Sequence, residues 1–332
     1  METNPKPTPI TPPRMFITFI QGFNTVANNI YLILLPVLLD LYMWLGPHLS
    51  LQKMFQPFFT QLLSQMTTLG SMDASTTAIY KEAFNSFSEQ FNLFSTLHTF
   101  PVGIPGLFTF PLALKSPIGK PLIFSVLNSG LAFSLFLLFS VVGILLGSLY
   151  FNMLARATSA ERQPFSLHDI FWQSMQVLWM TLMLIVLILV LGIPVSMVLG
   201  LVTLFLPGIT DLAMILVMFA AIWLLMPLIF SPLGIFTNMN TTMTSIVTSV
   251  RLVRFFLPGT SFFILTAFLF DQVLTWLWTT PAVDSWLLII GVAGNAFVTT
   301  ALLAAGFIYY RGGLVWMNEN LKRLQEANQV KV

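Results

Sequence analysis

Long apolar runs are the feature that most constrains how this chain folds. A helix that crosses a bilayer needs about 20 mostly apolar residues, and five stretches reach that length. They cover residues 122–151, 177–206, 209–230, 255–278 and 285–310. A shorter stretch at 30–45 contains Pro36 and Asp40, so it crosses only if the preceding residues help or its ends snorkel. The sequence therefore predicts an all-α fold, a polytopic transmembrane helix bundle with about six spans.

Composition supports a membrane protein and argues against several kinds of chemistry. Charged residues make up 8% of the 332 residues, against about 25% in soluble domains. A net charge of +2 provides no basic field for nucleic acid. The absence of cysteine excludes a disulfide, a Cys–zinc site and a thiol nucleophile, and three histidines leave little material for a His-rich metal site. No Ser–His–acid set, phosphate loop or HExxH motif occurs. We therefore expect a non-enzymatic protein with no cofactor, no metal and no nucleic-acid partner.

The placement of arginine and lysine predicts the orientation. The short turns near Pro207 and Pro281 carry neither residue. The segments that would lie on the opposite side are basic, with Lys6, Arg14, Arg156, Arg162, Arg251, Arg254, Arg311, Lys322, Arg323 and Lys331. The loop at 46–121 also contains lysines, but long translocated loops carry little weight in the positive-inside rule. The pattern predicts a multi-pass protein of the cell (inner or plasma) membrane with both termini in the cytoplasm.

Three ranges describe the organisation of the whole chain. Residues 1–14 are rich in Pro and Thr and predict a disordered tail. Residues 15–311 predict a single transmembrane domain, which opens with an interfacial helix at 15–29. Residues 312–332 predict a separate, cytoplasmic amphipathic helix after a Gly-Gly pair.

The outer loop at 46–121 is the least standard part of the chain. Apolar residues recur with helical spacing at 51–69 and again at 80–94, which predicts two amphipathic helices. These helices lie either on the outer leaflet or packed on the bundle. The Pro-rich, apolar stretch at 100–121 is either interfacial or a re-entrant segment buried in protein. On the cytoplasmic side, residues 235–254 predict one surface helix.

The order of the later spans resembles a known family. Residues 162–169 read RQPFSLHD, residues 206–209 form the turn LPGI, and residues 245–254 read SIVTSVRLVR. A PG turn and a helix of the form A-x-x-x-S-x-R-L recur in bacterial six-helix membrane proteins related to the membrane domain of glycerophosphodiester phosphodiesterases. The resemblance covers about 125–311, and the acidic residue common just upstream of that helix is missing. It implies an α-helical membrane domain without phosphodiesterase chemistry, because the catalytic part of those enzymes is a separate soluble barrel.

Polar residues inside the predicted spans are the candidate functional sites. Asp271, Asn295 and Asp40 stand out, since a charge at the bilayer centre costs about 2.5–3.5 kcal/mol and usually marks function. Each also has a structural interpretation: Asp271 and Asp40 lie near span ends, and Asn295 suits a hydrogen bond between packed helices. Arg251 and Arg254 end the predicted surface helix, where cations suit the helix C-terminus and anionic headgroups.

Two functions from different classes follow from these features. The favoured hypothesis is a membrane scaffold or accessory protein that contacts membrane lipids, and a protein partner, through its interfacial helices. The alternative is a transporter or permease component for an apolar or amphipathic solute, with Asp271 and Asn295 along its path. The scaffold is favoured because coupled transporters usually carry more than one buried ionisable group.

Overall fold

The computed structural model describes residues 11–68, 73–109, 115–159 and 166–329. Most of the predicted N-terminal tail and Arg162 lie outside these residues. The described chain is helical almost throughout. Its helices are α1 (Met15–Asn28), α2 (Leu34–Leu45), α3 (Gln52–Thr68), α4 (Ala74–Gln90), α5 (Ser129–Ala157), α6 (Leu167–Phe205), α7 (Thr210–Leu225), α8 (Ser231–Asn238), α9 (Thr242–Phe255), α10 (Leu257–Trp278) and α11 (Leu288–Gln329). Two short strands, β1 (His48–Ser50) and β2 (Ile123–Ser125), complete it.

The predicted all-α membrane fold is confirmed. Within the described residues, five helical stretches are long and apolar enough to cross a membrane: α5, α6, α10, α11 and the run from α7 through α8. The chain is therefore a multi-pass membrane protein. Each stretch matches a predicted span, although their ends differ by several residues.

The first predicted span is bent. Helix α1 and the helical stretch Ile30–Leu45 meet at 91° across Asn29, so they form either one broken span or a re-entrant pair. The predicted helix at 15–29 is confirmed as α1. It buries a single stripe, Thr18, Gly22 and Val26. The number of spans is thus five, or six if the bent pair counts as one.

Several helix boundaries differ from the sequence prediction. Helix α5 begins at Ser129 rather than at residue 122, because β2 occupies the start of the predicted span. No separate C-terminal helix begins at residue 312, because α11 continues unbroken through Gly312 and Gly313. The predicted surface helix at 235–254 is two helices, α8 and α9, separated where Met239 takes a left-handed conformation with φ of 52°. The third span starts earlier than predicted, at α6, where the Ser166 side chain accepts a hydrogen bond from the Asp169 N–H.

The described chain forms two compact units. One contains the residues up to Asn29, Phe151–Leu269 and the residues from Ala301 onward. In this unit α1 crosses α11 closely, since a Cβ on Gly22 would lie 2.5 Å from the Ala301 carbonyl oxygen. Helix α9 is held against the end of the preceding span by its serines: Ser249 donates to the Pro227 carbonyl over 2.7 Å, and Ser245 donates to the Ser231 carbonyl.

The other unit contains Ile30–Tyr150 and Phe270–Thr300. Its apolar core includes Trp44, Leu107, Phe108, Leu288 and Val292, all buried. The Trp44 indole N–H also donates to the Val283 carbonyl over 2.8 Å. This unit holds the loop between α2 and α5, and with it the candidate site.

Candidate functional site

The loop between α2 and α5 closes on itself at its base. Strands β1 and β2 pair in parallel, with Leu49 opposite Phe124. The His48 N–H donates to the Leu122 carbonyl over 2.8 Å, and the Val126 N–H donates to the Ser50 carbonyl over 3.0 Å. Because these bonds join the two ends of the loop, its described residues form a folded insertion. We refer to residues 46–128 as the insertion.

Asn92 ties the helical part of the insertion to this base. Its side-chain oxygen accepts hydrogen bonds from the Leu49 N–H at 3.0 Å and the Phe94 N–H at 3.2 Å. Its amide group donates to the Pro47 carbonyl at 3.5 Å. The side chain is buried, so one residue fixes the end of α4 beside the start of the insertion.

Helices α3 and α4 pack against each other, which confirms the two predicted amphipathic helices. The rings of Phe59 and Phe84 stack with their centroids 3.9 Å apart. Near the other end, the Thr67 and Thr77 hydroxyl groups lie 2.9 Å apart. Large apolar side chains remain exposed on both helices: Phe55, Phe58, Leu62, Ile79, Tyr80 and Phe87. The pair thus presents apolar surface that no described residue covers.

Asp40 of α2 is the most deeply buried carboxylate of the candidate set, with no exposed surface. One carboxylate oxygen accepts the Leu107 N–H over 2.8 Å and the other accepts the Phe108 N–H over 3.1 Å. These amides begin a short 3-10 helix of one turn, Leu107–Thr109. A carboxylate at the first N–H groups of a turn satisfies donors that have no backbone partner. Asp40 therefore anchors the Pro-rich segment to α2.

The Pro-rich segment is buried in protein at residues 102–108, whereas Phe100 and Ile118 on either side are exposed. Val102, Ile104, Leu107 and Phe108 are all at most 9% exposed. The segment also lies directly on α5, because a Cβ on Gly147 would meet the Cα atom of Gly103 at 2.9 Å. Of the two sequence interpretations of residues 100–121, burial in protein fits residues 102–108.

His98 shares the surroundings of Asp40. A Cβ on Gly106 would lie 2.5 Å from Asp40 Oδ1 and 2.6 Å from His98 Cε1, so both side chains converge on a position that only glycine can occupy. His98 Nδ1 lies 2.7 Å from the Ile104 carbonyl oxygen. Since a carbonyl only accepts, Nδ1 carries the proton. Nε2 is then a buried acceptor, without a hydrogen-bond partner among the described residues.

Burial lowers the pKa of His98 below its usual 6.5, and the Ile104 carbonyl opposes this only in part. Burial likewise lowers the pKa of His48, in β1. Both rings are therefore neutral at pH 7. The arrangement around Asp40 combines one carboxylate, two backbone amides and one neutral imidazole. Both carboxylate oxygens are engaged by amides, so its chemical role is to hold the segment in place.

Asp271 and Asn295 do not form a joint site. Asn295 is 3% exposed, and its side-chain oxygen accepts a hydrogen bond from Thr275 of α10 over 3.3 Å. This bond joins α11 to α10, as the packing interpretation predicts. Asp271 is partly exposed and accepts a hydrogen bond from the neighbouring Gln272 at 3.3 Å. Among the described residues, no hydrogen bond links Asp271 to another helix.

Arg251 and Arg254 both lie in the last turns of α9 with exposed side chains. Leu252 and Val253 between them are buried. The helix therefore turns its apolar side toward the protein and leaves both guanidinium groups on its outer side.

Sequence reasoning selected Asp40 but missed its neighbours. His98 and Gly106 belong to no sequence motif, and the spacing of His98 from the acidic residues does not indicate a shared site. A glycine between two prolines, Pro105 and Pro111, is common in turns. Only the folded loop shows that this glycine is required by the close approach of two polar side chains.

Comparison with protein-family models, characterised proteins and solved structures yields no match for this chain.

Proposed function

We propose that this protein is a membrane scaffold or accessory protein that contacts lipids, and a protein partner, through the insertion. The observation that carries the proposal is the exposed apolar surface of α3 and α4. Phe58 is 67% exposed and Ile79 is 66% exposed. Large apolar side chains exposed on several turns of two packed helices, outside a spanning stretch, indicate contact with a membrane surface or another protein.

The rigidity of the base supports the proposal. The β1–β2 ladder and Asn92 hold both ends of the insertion, and Asp40 holds the Pro-rich segment. Binding to a surface loses less conformational entropy when the segment that carries the surface is already ordered. The insertion therefore presents α3 and α4 on a fixed platform.

A photocrosslinking residue placed on α3 tests the proposal. At Phe58, on the exposed apolar surface, we expect a defined lipid or protein adduct in intact membranes. At Lys53, exposed on the same helix, we expect much less. Equal adduct yields at the two positions would contradict a specific contact surface.

A deletion gives an independent test. Because Asn92 lies against Leu49, a short Gly/Ser linker in place of residues 52–90 keeps the β1–β2 ladder intact. We expect normal membrane insertion and loss of the adduct partner from purified complexes. Retention of that partner would rule out α3 and α4 as the contact surface.

We also propose that the protein resides in the cell membrane with both termini in the cytoplasm. Basic residues in the short segments support this orientation, with Arg156, Arg251 and Arg254 on one side. The chain contains no cysteine, so single-cysteine variants label cleanly. A membrane-impermeant maleimide should label Lys81→Cys in intact cells and Lys322→Cys only after lysis; the reverse pattern would overturn the orientation.

A transporter component is the second candidate, supported by Asp271. Its carboxylate lies within the spanning helix α10 and bonds only its sequence neighbour among the described residues. An intramembrane carboxylate without an interhelical partner suits a solute or proton path. Flux of an amphipathic solute into proteoliposomes should fall in Asp271→Asn, and flux equal to that of the unmodified protein would exclude this role. The pattern-level relation of residues 125–311 to the phosphodiesterase membrane domain remains a proposal.

A further inference from the structure

A pocket with several polar side chains in its wall lies beside Arg311, in the unit that contains α6 to α9. Its volume is about 340 Å³, and it is open to the protein surface. Its polar lining consists of Ser159, Thr237, Asn238, Arg311 and Asn318. Ser159 follows the end of α5, Thr237 and Asn238 end α8, and the other residues lie in α11, so the pocket is built by tertiary packing.

Arg311 supplies a positive charge that no described residue of the pocket wall neutralises. Its guanidinium donates to the Thr158 hydroxyl over 2.9 Å and to the Ala155 carbonyl over 2.6 Å. Both partners are neutral, and they engage two of the five N–H groups of a guanidinium. No acidic side chain lines the pocket among the described residues.

Thr237 contributes a second unsatisfied group. Its hydroxyl oxygen is buried and has no hydrogen-bond partner within the described part of the chain. Buried hydroxyl groups in proteins are nearly always hydrogen-bonded. A pocket with an unmatched cation and an unmatched buried hydroxyl is suited to an oxyanion, which accepts hydrogen bonds from both.

The rest of the lining is apolar. Leu314 and Val315 complete the wall, and Val315 is 56% exposed on a helix that continues a membrane span. An oxyanion carried on an apolar chain therefore fits this pocket better than a small soluble ion. A phosphate matches the planar fork of arginine and accepts several hydrogen bonds at once.

We propose that this pocket binds the phosphate group of an anionic amphiphile, with Arg311 as the charged donor and Thr237 and Asn318 as neutral donors. The simpler role for Arg311, capping the C-terminal end of α5, explains its bond to Ala155. That role explains neither the buried hydroxyl of Thr237 nor the volume beside it. None of the lining residues belongs to the insertion, so ligand binding here does not depend on the proposed scaffold function.

Binding to the purified full-length protein in detergent tests the proposal. The probes are short-chain phosphatidylglycerol, short-chain phosphatidylcholine and inorganic phosphate, titrated separately with native mass spectrometry as the readout. We expect one saturable site for phosphatidylglycerol, with ~10- to 100-fold weaker binding in Arg311→Gln, the loss expected for a charge-assisted hydrogen bond. Lys322→Gln removes an exposed cation from the same helix and should leave binding unchanged.

A second variant, Thr237→Val, tests the same site if Arg311→Gln fails to fold. Thr237→Val removes a hydroxyl that makes no hydrogen bond within the described protein, so its thermal stability should be preserved while binding weakens about threefold or more. Saturable binding of inorganic phosphate with the same variant dependence would support the site and identify a soluble phosphate as its ligand. Binding that is not saturable, or that weakens equally in Lys322→Gln and in the pocket variants, would overturn the proposal.

Discussion

Replacing Asp40 should release the Pro-rich segment from α2. Asp40→Asn preserves the side-chain shape but leaves one acceptor oxygen for two amides, and its NH₂ group then faces an N–H. Asp40→Ala removes both acceptors and leaves the Leu107 and Phe108 amides unpaired. Each unpaired buried donor costs about 1–3 kcal/mol, or ~2–6 kcal/mol for two.

The net cost is smaller because removing the carboxylate also removes the cost of its burial. We therefore expect Asp40→Ala to lower the free energy of opening this segment by ~2–4 kcal/mol, with Asp40→Asn at the lower end. We expect the effect to be local, because the two amides that lose their acceptor both lie in the Pro-rich segment.

Hydrogen exchange measured by mass spectrometry in lipid nanodiscs is the assay. A loss of ~2–4 kcal/mol corresponds to about 30- to 1000-fold faster exchange for peptides covering residues 98–109. Asp73→Asn is the matched control, because the Asp73 side chain also accepts a backbone N–H, that of Thr76, but is exposed. It should leave exchange at 98–109 unchanged. If Asp40→Asn and Asp40→Ala insert normally and exchange at 98–109 stays slow, the anchoring role of Asp40 is wrong.

Three further predictions use the same contacts. Gly22→Ala should destabilise the protein by about 1–3 kcal/mol in a detergent unfolding assay, because its Cβ would meet the Ala301 carbonyl at 2.5 Å; Gly200→Ala, with nothing within 4 Å, should be neutral or slightly stabilising, and equal effects would contradict the close helix crossing. Thr275→Val should lower the free energy of unfolding in the same assay by about 0.6 kcal/mol, the average for a hydrogen bond between membrane helices. A loss of several kcal/mol would contradict a role limited to helix packing for its bond to Asn295. Burial lowers the pKa of His98 in the folded protein, so the unfolded chain binds a proton at His98 more readily. The contribution of neutral His98 to stability is therefore present above pH 6.5 and falls by up to ~1.4 kcal/mol per pH unit below it. Proteolysis near residue 98 should accelerate between pH 7 and pH 5, and His98→Asn should abolish the acceleration.

The spans and the amphipathic helices could be predicted because they depend on local composition. An apolar run of sufficient length must leave water wherever the rest of the chain goes. Periodicity likewise located α3 and α4 without knowledge of their packing. The separate C-terminal helix was predicted wrongly because a Gly-Gly pair weakens a helix by only about 1 kcal/mol per residue. Helix α11 continues through that pair. A Cβ on Gly313 would lie 3.0 Å from the Leu252 side chain, so this glycine packs closely against α9.

The candidate site could be predicted only in part. Asp40 stood out because a carboxylate inside an apolar stretch is rare. Its partners are backbone amides at Leu107 and Phe108, which are invisible as a pattern because every residue except proline carries an N–H. The same holds for the pocket beside Arg311, whose lining comes from three helices far apart in sequence.

The sequence by itself determined that this chain is a multi-pass helical membrane protein, and it located five apolar stretches and the helices α3 and α4. These properties depend on local composition and add up residue by residue. The tertiary structure alone decided the bend of 91° at Asn29, the pairing of β1 with β2 and the attachment of the Pro-rich segment to Asp40. The strand pairing and the attachment join residues that are distant in the chain, and the attachment also needs the space left at Gly106. Hydropathy and periodicity do not record such contacts, because the contacts form only when the helices pack.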